Sequence, residues 1–286
     1  MTPLPAVPDL YTALRHSGVA PDDLPALIAA CDAQTAQRLL SVDQGLLRAI
    51  LRKGRGAPAI ATAPAIRAHL ASLSPAPLFL PRIEDGPSIA LLTAEMPDMP
   101  AYSDRAFDAW FVAQGASYGL GPYGEARSVY QTDQFADAAS DERRTIHAGI
   151  DVFAPAMTPV YAPVAGVVHM VTYQADALDY GNCLIVQHDA QGVAFFTLYG
   201  HLAGTLPGLL QPGDMVQPGQ LIAHLGDWHE NGGWAPHLHF QVMTSMLDQT
   251  GGNFFGVGHR SLWDIWQDIC LDPNLVMRLP AKRFLA

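Results

Sequence analysis

No apolar run in this 286-residue chain approaches the roughly 20 residues needed to cross a bilayer, so no membrane-spanning helix is expected. The opening Met1-Thr-Pro-Leu-Pro lacks a basic stretch followed by an apolar one, the mark of a secretory leader. As the sequence stands, the expected location is cytoplasmic; a periplasmic or extracellular one requires an export signal outside it. Cysteine is scarce. Cys31, Cys183 and Cys270 are far apart, odd in number and form no CxxC pair, which reads as buried or half-buried thiols in a reducing compartment. Any metal would then be held by histidine and carboxylate. Positive charge is also short: 16 Lys and Arg against 27 Asp and Glu give a net charge of -11, which argues against nucleic acid as a partner. The one basic cluster, Arg48-Leu-Arg-Lys-Gly-Arg55, ends a helical pattern, where it complements the helix dipole.

What is present is a globular composition. Hydrophobic residues make up 49% of the chain and charged residues only 15%, enough apolar material for one large domain or a core with an accessory region. Residues 22–54 follow a helical pattern, with Asp22 or Asp23 as a cap and Pro25 in the first turn. Leu24, Leu27, Ile28 and Cys31 share one face, and a second stripe from Leu39 to Leu51 ends at Gly54. An Ala/Pro-rich stretch over 56–81 surrounds a short helix near 66–73. A strand over 88–93 and a short helix over 104–112 follow. From Ser117 the texture turns to glycine, proline, β-branched and aromatic residues with regularly spaced turns. The spacing predicts strands over 150–153, 164–171, 183–188, 194–202, 221–225 and 238–243, then a helix over 261–270 capped by Ser261. No internal repeat is seen. The fold class is α+β: an antiparallel β domain over 81–250, a helical region over 1–80, and an extension over 251–286 with one helix.

The chemistry concentrates in three histidine segments. In Pro236-His-Leu-His-Phe-Gln-Val242, strand alternation puts His237, His239 and Gln241 on one face and Leu238, Phe240 and Val242 on the other. In Phe195-Phe-Thr-Leu-Tyr-Gly-His-Leu202 the same rule groups Phe195, Thr197, Tyr199 and His201, opposite Phe196, Leu198 and Leu202. In Arg144-Thr-Ile-His-Ala-Gly-Ile-Asp-Val-Phe-Ala-Pro155, His147 and Asp151 are four apart, but Gly149, the β-branched neighbours and Pro155 oppose a helix. An extended chain would hold the two about 13 Å apart. The backbone must therefore bend near Ala148-Gly149, where glycine allows unusual angles. A histidine and a carboxylate on such a bend, joined by a second histidine from another strand, make a His₂Asp zinc site with one position open for water. No HExxH motif is present, so a glutamate base of the thermolysin kind is not indicated.

In order and interval, HxxxD, then YxHL, then HLH resembles the M23 (lysostaphin/LytM-type) zinc metallopeptidases. The likeness extends to Thr158-Pro-Val-Tyr-Ala-Pro163, Gly166-Val-Val168, Gly181-Asn182 and Gly213-Asp-Met-Val-Gln-Pro-Gly-Gln220, and covers about 120–245. Carried over by position, it implies that His147, Asp151 and His239 bind Zn²⁺, and that His201 and His237 are catalytic and flank the metal-bound water. It implies a metalloendopeptidase cutting peptide bonds, with peptidoglycan cross-links or stem peptides as substrate. The alternatives are a zinc amide hydrolase inside the cell acting on another substrate, and an M23-like module that binds without catalysis.

Two features depart from the family. Where it usually has a short Gly/Ser/Thr-rich turn, this chain has Gly226-Asp-Trp-His-Glu-Asn-Gly-Gly-Trp-Ala235, and the export signal suited to a cell-wall substrate is not seen. That loop, with Tyr123-Gly-Glu-Ala-Arg127 and Cys270-Leu-Asp-Pro-Asn274, is similar to M23-like modules fused between kinase-like and aminotransferase domains. Residues 227–235 and those before His147 are expected to form the two rims of an open, elongated cleft. Asn182 is a further candidate cleft residue. The remaining histidines at 16, 69, 169, 188, 224 and 259 have no partner at ligand spacing and are read as structural.

Overall fold

Five helices open the chain in the computed structural model, which describes residues 2–285. They are α1 (Leu10–His16), α2 (Leu24–Ala30), α3 (Ala33–Leu40), α4 (Gln44–Gly54) and α5 (Ala63–Ser72). The single helical region expected over 22–54 is broken twice, because two aspartates each start a new helix. Asp32 accepts the Thr35 N–H at 3.0 Å and Asp43 the Leu46 N–H at 2.8 Å. Asp23, expected as a cap, flanks α2 but accepts no capping hydrogen bond; Pro25 does occupy the first turn. Asp9 caps α1, which lies in the helical region expected over 1–80 but ahead of the pattern seen over 22–54. Helix α6 (Ala106–Ala113) and the four-residue α7 (Leu206–Leu209) lie further on, followed by α8 (Trp263–Ile269) and α9 (Asn274–Met277). Ser261 does not cap α8; its N–H and hydroxyl donate instead to Glu142.

The strands are β1 (Ser88–Ala90), β2 (Tyr118–Gly121), β3 (Ile146–His147), β4 (Ile150–Phe153), β5 (Pro159–Tyr161), β6 (Gly166–Gln174) and β7 (Gly181–Asp189). Then come β8 (Ala194–Leu202), β9 (Met215–Val216), β10 (Leu221–His224), β11 (His237–Met243), β12 (Val257–Gly258) and β13 (Cys270–Leu271). Among the described residues the main sheet has nine strands in the order β1-β2-β4-β11-β8-β7-β6-β9, with β13 beside β11. All its pairings are antiparallel except β1 with β2. The class is α+β. No helix among the described residues is long and apolar enough to cross a membrane.

Alternation sends each strand's side chains into two separate cores. Leu184, Val186, Tyr199, Phe240 and Val242 share one with Ile66 and Leu70 of α5 and Val160 and Ile222 of the β5–β10 ribbon. Cys183, Ile185, Leu198 and Met243 share the other with α1, α2 and α4 (Leu10, Leu27, Ile50) and with Trp266 of α8. The N-terminal helices thus form a layer on the sheet, covering apolar side chains that would otherwise face water. A third, aromatic cluster joins Tyr102, Phe107 and Phe153 to Trp228 and Trp234.

His188 shows what such burial does to a titratable group. Its Nδ1–H donates to the Ala165 carbonyl at 2.8 Å, and its Nε2 lies 2.8 Å from the Thr197 hydroxyl. Burial pushes its pKa down to about 4. The unfolded chain takes up this proton near pH 6.5 and the folded chain only near 4, so the unfolded state binds more protons in between. His188 therefore favours the folded state fully above pH 6.5, and this contribution is lost as pH falls to 4. The expected result of His188→Gln is a flatter dependence of Tm on pH between 6.5 and 4, read by thermal melts across that range.

Candidate metal centre and catalytic site

β4 lies between β2 and β11, and this register places Asp151 directly opposite His239 on one side and Gly121 on the other. His147 belongs to β3, which leaves the main sheet and pairs with β12. The chain does break at 148–149, but not for the reason expected. Gly149 has no left-handed backbone. A Cβ there would stand 2.5 Å from Cε1 of His239, so the glycine makes room for an imidazole.

Three atoms meet at the break. His147 Nε2 is 3.0 Å from His239 Nδ1 and 3.2 Å from Asp151 Oδ1, and His239 Nδ1 is 3.0 Å from Asp151 Oδ1. The outer contacts fix which nitrogens carry hydrogen. His147 Nδ1 faces the Pro122 carbonyl at 3.0 Å, and a carbonyl only accepts, so Nδ1 carries the proton and Nε2 a lone pair. Gln241 donates through its amide to the Phe255 carbonyl and to Cys270 Sγ. Its Oε1 therefore accepts from His239 Nε2–H at 2.9 Å, which leaves His239 Nδ1 without a proton. Three lone pairs in mutual contact repel unless a cation sits among them. Three tetrahedral ligands at zinc distances would stand about 3.3 Å apart, close to the separations observed. The group fits a metal ion, and it is the one His/Cys/Asp/Glu constellation of this kind among the described residues.

All of it is buried. Asp151 is 2% exposed, yet it is held well below the usual carboxylate range: burial works against this, and the neighbouring His147 and Arg127 outweigh it. Arg127 Nη1–H donates to Asp151 Oδ2 at 2.6 Å. The pKa of His147 is lowered, first by burial and then by the charge of Arg127.

His237 and His201 complete the site. His237 Nδ1–H donates to the Ala235 carbonyl at 2.7 Å, and Nε2 lies 3.9 Å from Asp151 Oδ1. Its ring stacks on Phe153 with centroids 4.6 Å apart. His201 Nδ1–H donates to the Asn231 carbonyl at 2.8 Å, and its ring centroid is 4.2 Å from that of His237. Burial pushes His237 down to about 4; burial and then the two neighbouring imidazoles hold His201 well below the usual imidazole range. Both are neutral at pH 7, each with an unprotonated Nε2.

The expected face for His201 is corrected here. Tyr199 pairs with Phe240 and points into the core, and Thr197 is bonded to His188, so strict alternation would turn His201 away from His237 and His239. Instead β8 bulges. Asn182 pairs with Leu202 but Leu184 with Tyr199, so one extra residue fits between, and His201 has φ +62°. The bulge turns its ring to the metal side, and Leu202 resumes the Tyr199 face.

The site borders a cavity of about 270 Å³ reached through His201 and His239. Trp234 on one side and Tyr130, Gln134 and Phe135 on another contribute to its walls, as expected of those segments, and residues from 176–180 and 249–257 line the remainder. Trp228 does not line it: its indole N–H donates to Asp108 at 2.9 Å. Asn182 is tied to the Glu230 carbonyl, outside the lining. His229 is exposed. Arg127, Gln241 and Asn231 escaped the sequence reading as site residues. Gln241 left a signal, its place on the His237 and His239 face by strand alternation.

This is a buried His₂Asp constellation that could hold a metal ion, flanked by two further imidazoles. Residues 145–250 match the model described as Peptidase family M23. The chain is 36% identical over 97 residues to the DD-carboxypeptidase/endopeptidase Mpg of Neisseria meningitidis, covering 34% of this chain and 20% of that protein. It is 36% identical over 94 residues to the uncharacterized lipoprotein YgeR of Escherichia coli, covering 33% of each. The chain thus spans between a fifth and a third of the length of these relatives. The catalytic domain of lysostaphin from Staphylococcus simulans aligns over 60% of this chain and 97% of its own, at 22% identity and a TM-score of 0.37.

Gly149 offers a direct test of the crowding at the centre. Gly149→Ala should lower divalent-metal affinity at least tenfold, measured by competition with a chromophoric chelator, because its methyl displaces His239. Gly208→Ala, where a Cβ meets nothing within 4 Å, should leave it unchanged.

Proposed function

We propose that this region is a zinc-dependent peptidase that hydrolyses peptide bonds in peptidoglycan cross-links or stem peptides. The observation that carries this reading is the convergence of His147 Nε2, His239 Nδ1 and Asp151 Oδ1 as three proton-free donor atoms, with two more neutral imidazoles alongside. His147, Asp151 and His239 would hold the zinc, which supplies Lewis-acid polarisation of the scissile carbonyl and acidifies a water. The other two histidines handle protons. Each Nε2 accepts a proton from the attacking water and, once protonated, donates it to the leaving amine or hydrogen-bonds the developing oxyanion. The rings lie only 4.2 Å apart, so a charge on one opposes a charge on the other and the pair carries one proton at a time. The carbonyls of Ala235 and Asn231 hold both rings in the required tautomer throughout.

A second reading has its own support. The cavity is small and each of the five site residues is at most 6% exposed, which suits a compact or terminal amide better than a long cross-linked strand. Zymography on purified cell walls against cleavage of isolated stem peptides separates the two. Stoichiometric zinc with hydrolysis of neither would instead leave a binding module.

The two histidines of β11 should behave differently. His239→Ala is expected to lose both zinc and activity. His237→Ala and His201→Ala should keep about one zinc per chain while kcat falls by roughly 10²–10⁴, and the double variant should cost less than the two combined. Equal zinc loss in His237→Ala and His239→Ala, by elemental analysis, contradicts the assignment. Trp234→Ala should raise KM, because its side chain walls the cavity, whereas Trp228→Ala should leave KM unchanged.

A further inference from the structure

Arg127 is 3% exposed, and its guanidinium is divided between two carboxylates. Nη1–H donates to Asp151 Oδ2 at 2.6 Å, and Nε–H donates to Glu125 Oε2 at 2.7 Å. Glu125 is itself held, since its Oε1 accepts from the Thr93 N–H at 2.7 Å and the Thr93 hydroxyl at 2.8 Å. A continuous line of hydrogen bonds therefore runs from the segment after β1, through Glu125 and Arg127, to the carboxylate at the metal centre. The neighbouring strand makes room for it. Gly121 pairs with Asp151, and a Cβ there would stand 2.5 Å from Arg127 Nη2 and 3.2 Å from Asp151 Cβ.

We infer that Arg127 is a positioning residue for the metal centre, holding Asp151 by Oδ2 so that Oδ1 alone faces His147 and His239. The inference rests on the reading of His147, Asp151 and His239 as the ligand set. A carboxylate free to rotate offers a metal both oxygens; one whose second oxygen accepts a 2.6 Å charge-assisted hydrogen bond offers a single oxygen in a fixed direction. The planar fork is needed, because Nε and Nη1 serve two carboxylates at once and a lysine ammonium has no such geometry. Glu125 matters equally. Its charge offsets that of Arg127, so the pair adds orientation to the centre without adding a net positive charge against the metal.

Charge and position predict opposite signs, which makes the experiment decisive. A guanidinium acting only as a charge repels a divalent cation, so its removal would strengthen metal binding; a positioning group weakens binding when removed. The full chain is prepared with Arg127→Met and Arg127→Lys. Zn²⁺ affinity is measured by chelator competition, and the Co²⁺-loaded proteins are compared by visible absorption. Arg127→Met is expected to weaken Zn²⁺ binding 10- to 100-fold, with weaker Co²⁺ bands as Asp151 turns to give both oxygens and the coordination number rises. Arg127→Lys should recover part of the affinity. Unchanged or tighter Zn²⁺ binding in Arg127→Met, with an unaltered Co²⁺ spectrum, overturns the proposal. If Arg127→Met does not fold, Glu125→Gln tests the same line of contacts: a severalfold loss of Zn²⁺ affinity supports it and an unchanged affinity overturns it. Failure of the ligand set itself looks different, since the unsubstituted protein would then bind no stoichiometric Zn²⁺ and Asp151→Ala would change nothing.

Discussion

A carboxylate buried in the middle of a sheet is the constraint around which this protein is arranged. Removing the Asp151 charge from water costs several kcal/mol unless partners replace the lost solvent. The structure supplies them from three segments: Arg127 on one oxygen, His147 and His239 on the other, and His237, two residues before His239 on β11, just beyond. None of these contacts exists in an unfolded chain, so the charge is tolerated only where β2, β4 and β11 lie side by side. The site's chemistry and the register of the sheet are one requirement.

The imidazoles obey a second rule. Each of the four has its outer nitrogen engaged with a fixed acceptor: Pro122, Ala235 and Asn231 carbonyls, and the Gln241 amide oxygen. These acceptors set the tautomers and turn the unprotonated nitrogens inward. The loop 226–235 is part of this device, since it supplies two of the acceptors and is braced by Asn231, whose amide donates to the carbonyls of Gly226 and Trp234. Its departure from the usual Gly/Ser/Thr-rich turn brings Trp234 to the cavity wall and Trp228 into the aromatic cluster around Phe107 and Phe153. The helical layer contributes more remotely. By covering Ile185, Leu198 and Met243 it allows β7, β8 and β11 to be apolar on the face that carries His239 and Gln241 further along.

Much of this was legible from the chain alone, because alternation and spacing are local. The strands over 150–153 and 194–202 have the expected bounds, and the shared face of His237, His239 and Gln241 follows from the period of two. The family is carried by motifs that lie within one stretch of about a hundred residues. Tertiary structure decided the rest, wherever a residue's role depends on something distant. Pattern rules assign His201 to the Tyr199 face; a bulge against β7 reverses it. Gly149 looks like a hinge in sequence and is in fact a gap for His239, ninety residues away. Arg127 looks like a surface cation, and only the pairing of β2 with β4 shows that it is buried against Asp151. Sequence determined which groups are available and which way a regular strand turns them. The fold alone decided which oxygen of Asp151 is free, which nitrogen of each histidine carries hydrogen, and how much room surrounds them, because each of these is fixed by contacts between segments that meet only when the sheet closes.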